Sequence, residues 1–595
     1  MKRILLSLIS LLLVLSMLLV GCNDTASSGS GDNTTPDTGD GGGNTTPPPA
    51  TDTTFTKTES YMPGAVFAQM KTYFEGTTTG FYPYDDRANA PFVSTDVFAI
   101  SDCVVKSITI PVFSTGKTDE DGDFTFSIYI VSNDWATLRT ELADPADPIV
   151  IKINAEEYEL AENSLIRKFI KVDLTEYEIE LSEKETLGFS HKDDTLIPAR
   201  VLTKGTETVN GTAQKYVPAK YLIDNWDVVG YYYHDRSDDS FTYVDNSLFF
   251  DFELERTWES EAVYNALIAK QAQEAADYAK KIATIKNAYA GKTISVMGDS
   301  ISTFNGITNN ATLGLVDNPV YSKYTLGAAV YTYERTYWGK LAFEAGMELN
   351  IINSWGGGKV YGWNKVVNET TGKSYNFNDC MLRRSYNLAK DGNAPDLILL
   401  NYGINDMSGS YSSIQATTSS AYTGNLATGN LYQRLTDPNK TKTDKEIVAE
   451  WFAEVEAYAA QGGYDPNDPS TITFTPTANT SSGKSHIYTC WEAAYALSLQ
   501  NIKRLYPEAD VYCITLPDRN HNSSTQPRLD KANLLIRALA EYFELGFVDQ
   551  SESGVTRANC IMYAADETGL HPNGKGHAAL TKAIVDAIYE DLTKE

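Results

Sequence analysis

The chain has 595 residues, 42% of them hydrophobic and 21% charged, with a formal net charge of −29. That length exceeds what one hydrophobic core organises and points to two folded domains plus non-globular segments. The acidic balance excludes nucleic acid as a partner and disfavours docking on anionic lipid, since both require a basic surface.

Lys2 and Arg3 precede an apolar run, Ile4 to Val20, that only serines interrupt, and the run ends in Leu19-Val20-Gly21-Cys22. An apolar stretch that closes on small residues fits cleavage better than spanning. The Gly-Cys junction resembles the lipobox of a bacterial lipoprotein, and that resemblance implies a mature chain beginning at a lipidated Cys22. Residues 1–22 are therefore expected to be a lipoprotein signal, with a plain signal peptide or an uncleaved helix as the alternatives. The protein is then expected at the cell surface, anchored in the bacterial membrane by lipid and facing outside the cytoplasm. No later stretch is apolar enough to cross a bilayer. Residues 23–55 are Gly, Ser, Thr, Asp, Asn and Pro with almost nothing apolar, a composition that cannot bury enough surface to fold and reads as a disordered linker. Five further cysteines, Cys103, Cys380, Cys490, Cys513 and Cys560, are odd in number and show no metal-ligand spacing, so neither a disulfide framework nor a metal site is expected.

Residues 59–255 carry period-two alternation. Ile108, Ile110 and Val112 show it, as do Phe124, Phe126, Ile128 and Ile130; Ile170, Val172 and Leu174; Tyr177, Ile179 and Leu181; and Leu248, Phe250, Phe252 and Leu254. One buried face per strand predicts antiparallel sheets, here a β-sandwich accessory domain. Trp135, Trp226 and Tyr231 to Tyr233 could offer stacking faces to a sugar or belong to the core and surface of the sandwich. Residues 256–290 are expected to be a connecting helix, because Trp258 to Ala290 holds no Gly or Pro and is rich in Ala, Glu, Gln and Lys.

From 291 to 595 short apolar strands (Thr293–Met297, Leu349–Ile352, Leu397–Leu400, Val511–Leu516) alternate with helical stretches (Tyr337–Ala345, Trp491–Leu505, Asp530–Leu545, His577–Leu592). This grammar predicts an α/β domain with a parallel sheet covered on both faces, whose ligands bind at the carboxyl ends of the strands. Four clusters lie at or near such ends: Gly298-Asp299-Ser300-Ile301, Asn353-Ser354-Trp355-Gly356-Gly357-Gly358, Gly403-Ile404-Asn405-Asp406 and Gly569-Leu570-His571-Pro572-Asn573. A serine at a strand-to-helix turn can project its hydroxyl and use its own N–H on an oxyanion, glycines let backbone N–H groups approach a substrate, a side-chain amide can donate to it, and an imidazole can take a serine proton near neutral pH. Each cluster alone is also what an ordinary turn or helix cap shows.

In this order the clusters resemble the blocks of the SGNH (GDSL-type) hydrolase superfamily over about residues 291–595. The resemblance implies a three-layer, flavodoxin-like α/β fold and a serine esterase without metal or organic cofactor. Ser300 would be the nucleophile, His571 the base and then the acid, and the N–H groups of Ser300 and Gly357 with the Asn405 side chain the oxyanion hole. Asp406 is expected to support its loop, and His577 to serve structure. The superfamily's carboxylate stands three residues before the histidine, where this chain has Thr568, with Asp566 two residues earlier. Either Asp566 reaches the imidazole from a longer loop, or Ser300 and His571 act as a dyad, or the domain is inactive. Residues 436–486, with a helix-like stretch Thr443–Ala460, are expected to wall the pocket, and Trp355, Tyr361, Trp363 and Tyr402 to stack on a sugar or pack the pocket floor. The expected substrate is an ester, with an acylated extracellular polysaccharide foremost. A lipase or lysophospholipase, and a glycan-binding surface protein with an inactive hydrolase domain, are the alternatives.

Overall fold

A computed structural model of the chain describes residues 54–60, 71, 81–83, 92–94, 102–132, 137–138, 140–141, 144, 146–183, 185–190, 194–201, 206–209, 212–215, 231–235, 240–244, 250–304, 333–354, 356–360, 365–367, 374–376, 380–407, 430–461, 463–471, 491–519, 526–564 and 569–594. The leader with Cys22, the linker up to residue 53, Cys490, and the aromatics Trp135, Trp226, Trp355, Tyr361 and Trp363 lie outside the described residues, as do Asp566 and Thr568.

The first domain is built on two large antiparallel sheets, with a separate two-stranded antiparallel pair at 206–209 and 212–215. One holds β1 (Phe55–Ser60), β2 (Cys103–Thr115), β5 (Leu165–Asp173), β7 (Leu196–Val201) and β8 (Asp251–Trp258), plus short strands at 81–83 and 180–181. The other holds β3 (Asp123–Ser132), β4 (Ile149–Asn154) and β6 (Glu185–Ser190) with strands at 92–94, 231–235 and 240–244. Alternation puts Val105, Ile108, Ile110, Val112, Phe250, Phe252 and Leu254 of the first sheet in one core with Phe124, Phe126, Ile128, Leu187 and Phe189 of the second. Phe189 stacks on Phe250 with ring centroids 4.6 Å apart, which closes the sandwich across its two inner faces. Ile130 keeps only part of its surface from water and marks the end of the strict alternation on β3. Tyr231 to Tyr233 sit on the strand at 231–235.

Helix α1 (Glu261–Tyr289) follows β8, and Ser260 caps it by accepting the Val263 N–H at 3.3 Å. Its sides are polar, and only Tyr264, Ile285 and Tyr289 are buried. These three fasten it at both ends. At its start Tyr264 packs on Phe55 and Trp258 and its hydroxyl bridges Lys57 and Glu59 of β1 at 2.6 Å each. Near its end Ile285 and Tyr289 enter the core of the second domain, and the Tyr289 hydroxyl donates to Asp510. A long, Ala-rich, polar-sided helix thus spans between two cores that its own sequence could not stabilise alone.

The second domain is a five-stranded parallel sheet of β9 (Thr293–Gly298), β10 (Glu348–Ser354), β11 (Leu397–Asn401), β12 (Asp510–Ile514) and β13 (Gly546–Val548), in the spatial order β10-β9-β11-β12-β13. The chain reverses its direction of travel through the sheet between β9 and β11, and the crevice at such a switch point is where open α/β sheets bind ligands. Helices α2 (Tyr337–Ala345), α3 (Asp444–Gln461), α4 (Trp491–Leu505), α5 (Gln526–Tyr542) and α6 (Gly574–Thr593) complete the layers. Helix α5 starts four residues before the predicted stretch and ends before Leu545. Strand β13 is three residues long and only Val548 of it is buried, too little apolar sequence to predict. Helix α3 buries Ile447, Val448, Trp451, Phe452 and Val455 in the main core and packs against α4 and α5, so the described part of the 436–486 segment serves the helical layer rather than a pocket wall. Among the described residues no helix is long and apolar enough to cross a membrane.

The Tyr264 junction has a measurable weight. Tyr264→Phe, which keeps the ring and removes the bridge to Lys57 and Glu59, is expected to lower stability by about 1 kcal/mol. Tyr264→Ala, which empties the aromatic cluster, is expected to lower it by about 3 kcal/mol. Urea unfolding followed by tryptophan fluorescence measures both, and equal losses for the two variants would show that the ring contributes nothing.

Candidate active site

Strand β9 ends at Gly298, where a Cβ would stand 2.2 Å from Ser302 Oγ and 2.9 Å from the Asn401 carbonyl oxygen, so only glycine lets the chain pass this close to β11. Asp299 then caps a 3₁₀ turn, Ser300–Ser302, by accepting the Ile301 N–H on Oδ1 at 3.1 Å. Helix α2 clamps the turn from behind. The Ser302 and Tyr337 hydroxyls lie 2.7 Å apart, and Trp338 Nε1 donates to the Ser302 carbonyl at 3.1 Å. Ser300 is 4% exposed just past the carboxyl end of β9.

His571 reaches it from the loop before α6, with Ser300 Oγ and His571 Nε2 3.0 Å apart. That loop is built by Asn573. Its side chain caps α6 through the Gly576 N–H at 3.0 Å and donates to the Ala564 carbonyl at 3.2 Å, while its backbone N–H donates to the Tyr563 carbonyl at 2.9 Å. The predicted serine and histidine therefore meet. Asp566 and Thr568 fall in the undescribed residues 565–568.

The glycine block and the Gly403–Asp406 loop are tied together as well. Asn405 Nδ2 donates to the Gly358 carbonyl at 3.0 Å, and Asp406 Oδ2 accepts the Val360 N–H at 2.9 Å, so Asp406 supports the loop as its sequence suggests. Gly357 is exposed with φ +78°, and Gly403 turns at φ +128°, conformations that favour glycine. Asn405 keeps its second amide hydrogen for another acceptor. Tyr402, in contrast, is fully buried in the core and offers no face to a sugar.

One buried titratable group escaped the sequence, Asp299, while His577 takes the structural role expected of it. Asp299 is 1% exposed, and burial raises its carboxyl from the usual carboxylate range to about 7. Its Oδ2 lacks a hydrogen-bond partner; the Ile301 N–H, the charge of His571 and, at longer range, the Ile404 and Gly403 N–H groups all favour the anion. The only signal in the sequence was an Asx cap directly before the serine. His577, fully buried within α6, accepts the Tyr337 N–H on Nδ1 at 3.2 Å, and burial with nearby Arg335 lowers it to about 3. It is neutral, with its proton on Nε2.

A cleft is lined by residues that flank the serine and the histidine, Ile301 on one side and Leu570 and Pro572 on the other. Among the described residues no group of three or more His, Cys, Asp or Glu side chains could hold a metal ion.

A serine hydroxyl held on an imidazole at the switch point of a parallel sheet, beside an amide donor and a glycine turn, defines the serine-hydrolase class of site. Residues 355–579 match the sequence model of the GDSL-like lipase/acylhydrolase family. The match holds Gly357, Asn405 and His571 and begins after Ser300, which the geometry adds. The domain is an ester hydrolase. Solved structures similar to the chain include a carbohydrate esterase family 2 enzyme with a carbohydrate-binding domain from Corynascus thermopiles (12% identity, 83% of this chain and 92% of that one, TM-score 0.26). A carbohydrate acetylesterase from Sinorhizobium meliloti is 14% identical over 50% of this chain and 98% of its own, with a TM-score of 0.24. An acetyl xylan esterase from Geobacillus stearothermophilus is 15% identical over 50% and 95%, with a TM-score of 0.25. No curated protein sequence matches the chain significantly.

The His577 depression fixes a sign. A base held below its unfolded value of about 6.5 contributes stability that is complete above that value and is lost as pH falls toward about 3. Urea unfolding between pH 7 and about pH 4 should show this loss. His577→Gln, which keeps an acceptor near the Tyr337 N–H, should flatten it; the same slope in variant and parent would rule out His577 as its source.

Proposed function

We propose that this protein is an exported serine esterase that cleaves carboxylic esters through an acyl-enzyme, with Ser300 as nucleophile and His571 as base and then acid. The observation that carries the reading is the 3.0 Å approach of Ser300 Oγ to His571 Nε2. In the first step His571 takes the hydroxyl proton as Oγ attacks the carbonyl carbon. The tetrahedral oxyanion is stabilised by the N–H groups of Ser300 and Gly357 and by the free amide hydrogen of Asn405. Collapse breaks the ester bond, and the imidazolium protonates the leaving alcohol. Water repeats the sequence on the acyl-enzyme. Asp299 supplies negative charge near the imidazolium, and Asp566 is the candidate to orient the ring from its other nitrogen.

The lipobox-like run ending in Gly21-Cys22 and the Gly-, Ser-, Thr- and Pro-rich stretch after it support a cell-surface location with a lipid anchor at Cys22, and a tethered, acidic enzyme suits an acylated polysaccharide as substrate. No nucleic acid and no cofactor enter this reading.

Hydrolysis of p-nitrophenyl acetate by the full-length protein tests it. Ser300→Ala is expected to remove the activity, and Asn405→Ala to lower kcat by about 100- to 1,000-fold. Asp566→Ala is expected to leave residual turnover above that of Ser300→Ala, because the Asp299 charge remains. Parent turnover no higher than that of Ser300→Ala, on acetate and on longer acyl esters, would overturn the reading in favour of a glycan-binding protein. Asp299→Asn removes an anion near the imidazolium, so the acid limb of the kcat/KM profile should move to lower pH and become less steep. A profile of unchanged shape with a lower plateau would reduce Asp299 to a structural cap.

A further inference from the structure

We infer that the cleft beside His571 is the subsite for the leaving alcohol, and that it is built for a polyhydroxylated one such as a sugar unit, with Asp518 and Gln550 as its polar contacts; this rests on the esterase reading above.

Proton transfer decides which side of the site the alcohol occupies. The oxyanion donors follow β9, β10 and β11, whereas His571 must hand its proton to the departing oxygen, so the alcohol lies on the His571 side. The cleft is on that side. Leu570 and Pro572 flank His571, Pro517 and Asp518 follow β12, and Gln550 and Val555 follow β13.

The polar groups in its wall select the chemistry. Asp518 accepts the Arg557 N–H on Oδ2 at 3.1 Å, while its Oδ1 is buried without a hydrogen-bond partner. A buried acceptor left without a donor is unfavourable, and a ligand hydroxyl is the donor that would satisfy it. Gln550 is held in place by Thr515, whose hydroxyl accepts the Gln550 N–H at 2.7 Å and whose carbonyl accepts Gln550 Nε2. One amide hydrogen is thereby committed, and the side-chain oxygen remains an acceptor. An acyl chain in this space would satisfy neither group. Ile301, Leu570 and Val555 supply apolar surface for the ring faces and carbons of a sugar.

The test compares kcat/KM for a mono-O-acetyl methyl xyloside, which keeps free hydroxyls, with kcat/KM for p-nitrophenyl acetate, in the full-length protein. Asp518→Asn retains the acceptor for the Arg557 N–H and removes the charge. Val555→Trp fills the cleft from its rim and does not depend on Asp518. Each is expected to lower the sugar-to-phenyl ratio about ten-fold. A ratio unchanged in both variants, while Ser300-dependent turnover persists, overturns the subsite and leaves the esterase standing. A Val555→Trp variant that loses butyrate esters relative to acetate esters at an unchanged sugar ratio makes the cleft an acyl pocket and overturns the proposal. Turnover independent of Ser300 overturns the esterase reading and this inference with it.

Discussion

The hydrogen bond between Ser300 and His571 joins residues 271 positions apart and sets what the rest of the α/β domain must do. The first strand and the last helix have to meet end to end within 3.0 Å, and neither can do so alone. Strand β9 is held inside the sheet because β10 and β11 pair on its two sides. Gly298 lets the turn come against β11, and α2 grips it through Tyr337 and Trp338. From the other side α6 packs on α1 and α2, and Gly576 brings its first turn against the Tyr563 carbonyl, where a Cβ would stand 2.1 Å away. Close packing turns these contacts into a fixed position for two side chains, which is the preorganisation that acyl transfer needs.

Around that contact the domain buries polar groups that a purely stable core would avoid. Asp299, Ser302, Tyr337, His577 and Arg335 all lie within the fold behind the nucleophile. Most find hydrogen bonds, but Asp299 Oδ2 and His577 Nε2 do not. Such groups are unfavourable unless satisfied, and they concentrate where function overrides stability. The β-sandwich has no comparable cluster among its described residues. Its interior is aliphatic and aromatic, and its charges, such as Lys171 with Glu253 and Lys152 with Asp119, stay at the surface.

Much of this was legible in the sequence, for physical reasons that differ by element. Strand alternation survives in the sandwich because each sheet has one dry face, so Ile108, Ile110 and Val112 announce themselves. The four strands β9 to β12 are apolar on both faces and read as runs. The site residues were readable because a parallel sheet forces function to the carboxyl ends of its strands, where Ser300 and Asn405 stand. What the sequence could not give depends on burial and long-range contact. Nothing local separates Tyr402, which is sealed in the core, from an aromatic that meets a substrate. Nothing local says that Asp299 is dry, that the 444–461 helix packs on α4 and α5, or that Asp518 and Gln550, 32 residues apart in sequence, border one cleft.

The Asp299 carboxyl shows how the two demands oppose each other. Its ionised form is the one burial penalises, so its contribution to stability is complete below the unfolded carboxylate value of about 4 and is lost as pH rises through about 7. The chemistry runs the other way. An imidazolium forms beside the nucleophile during attack, and an anion nearby lowers the energy of that state. The same rise in pH that makes Asp299 costly to the fold therefore makes it useful to His571. Three residues before His571 this chain has Thr568, and a buried carboxyl that ionises close to neutral pH directly precedes the nucleophile.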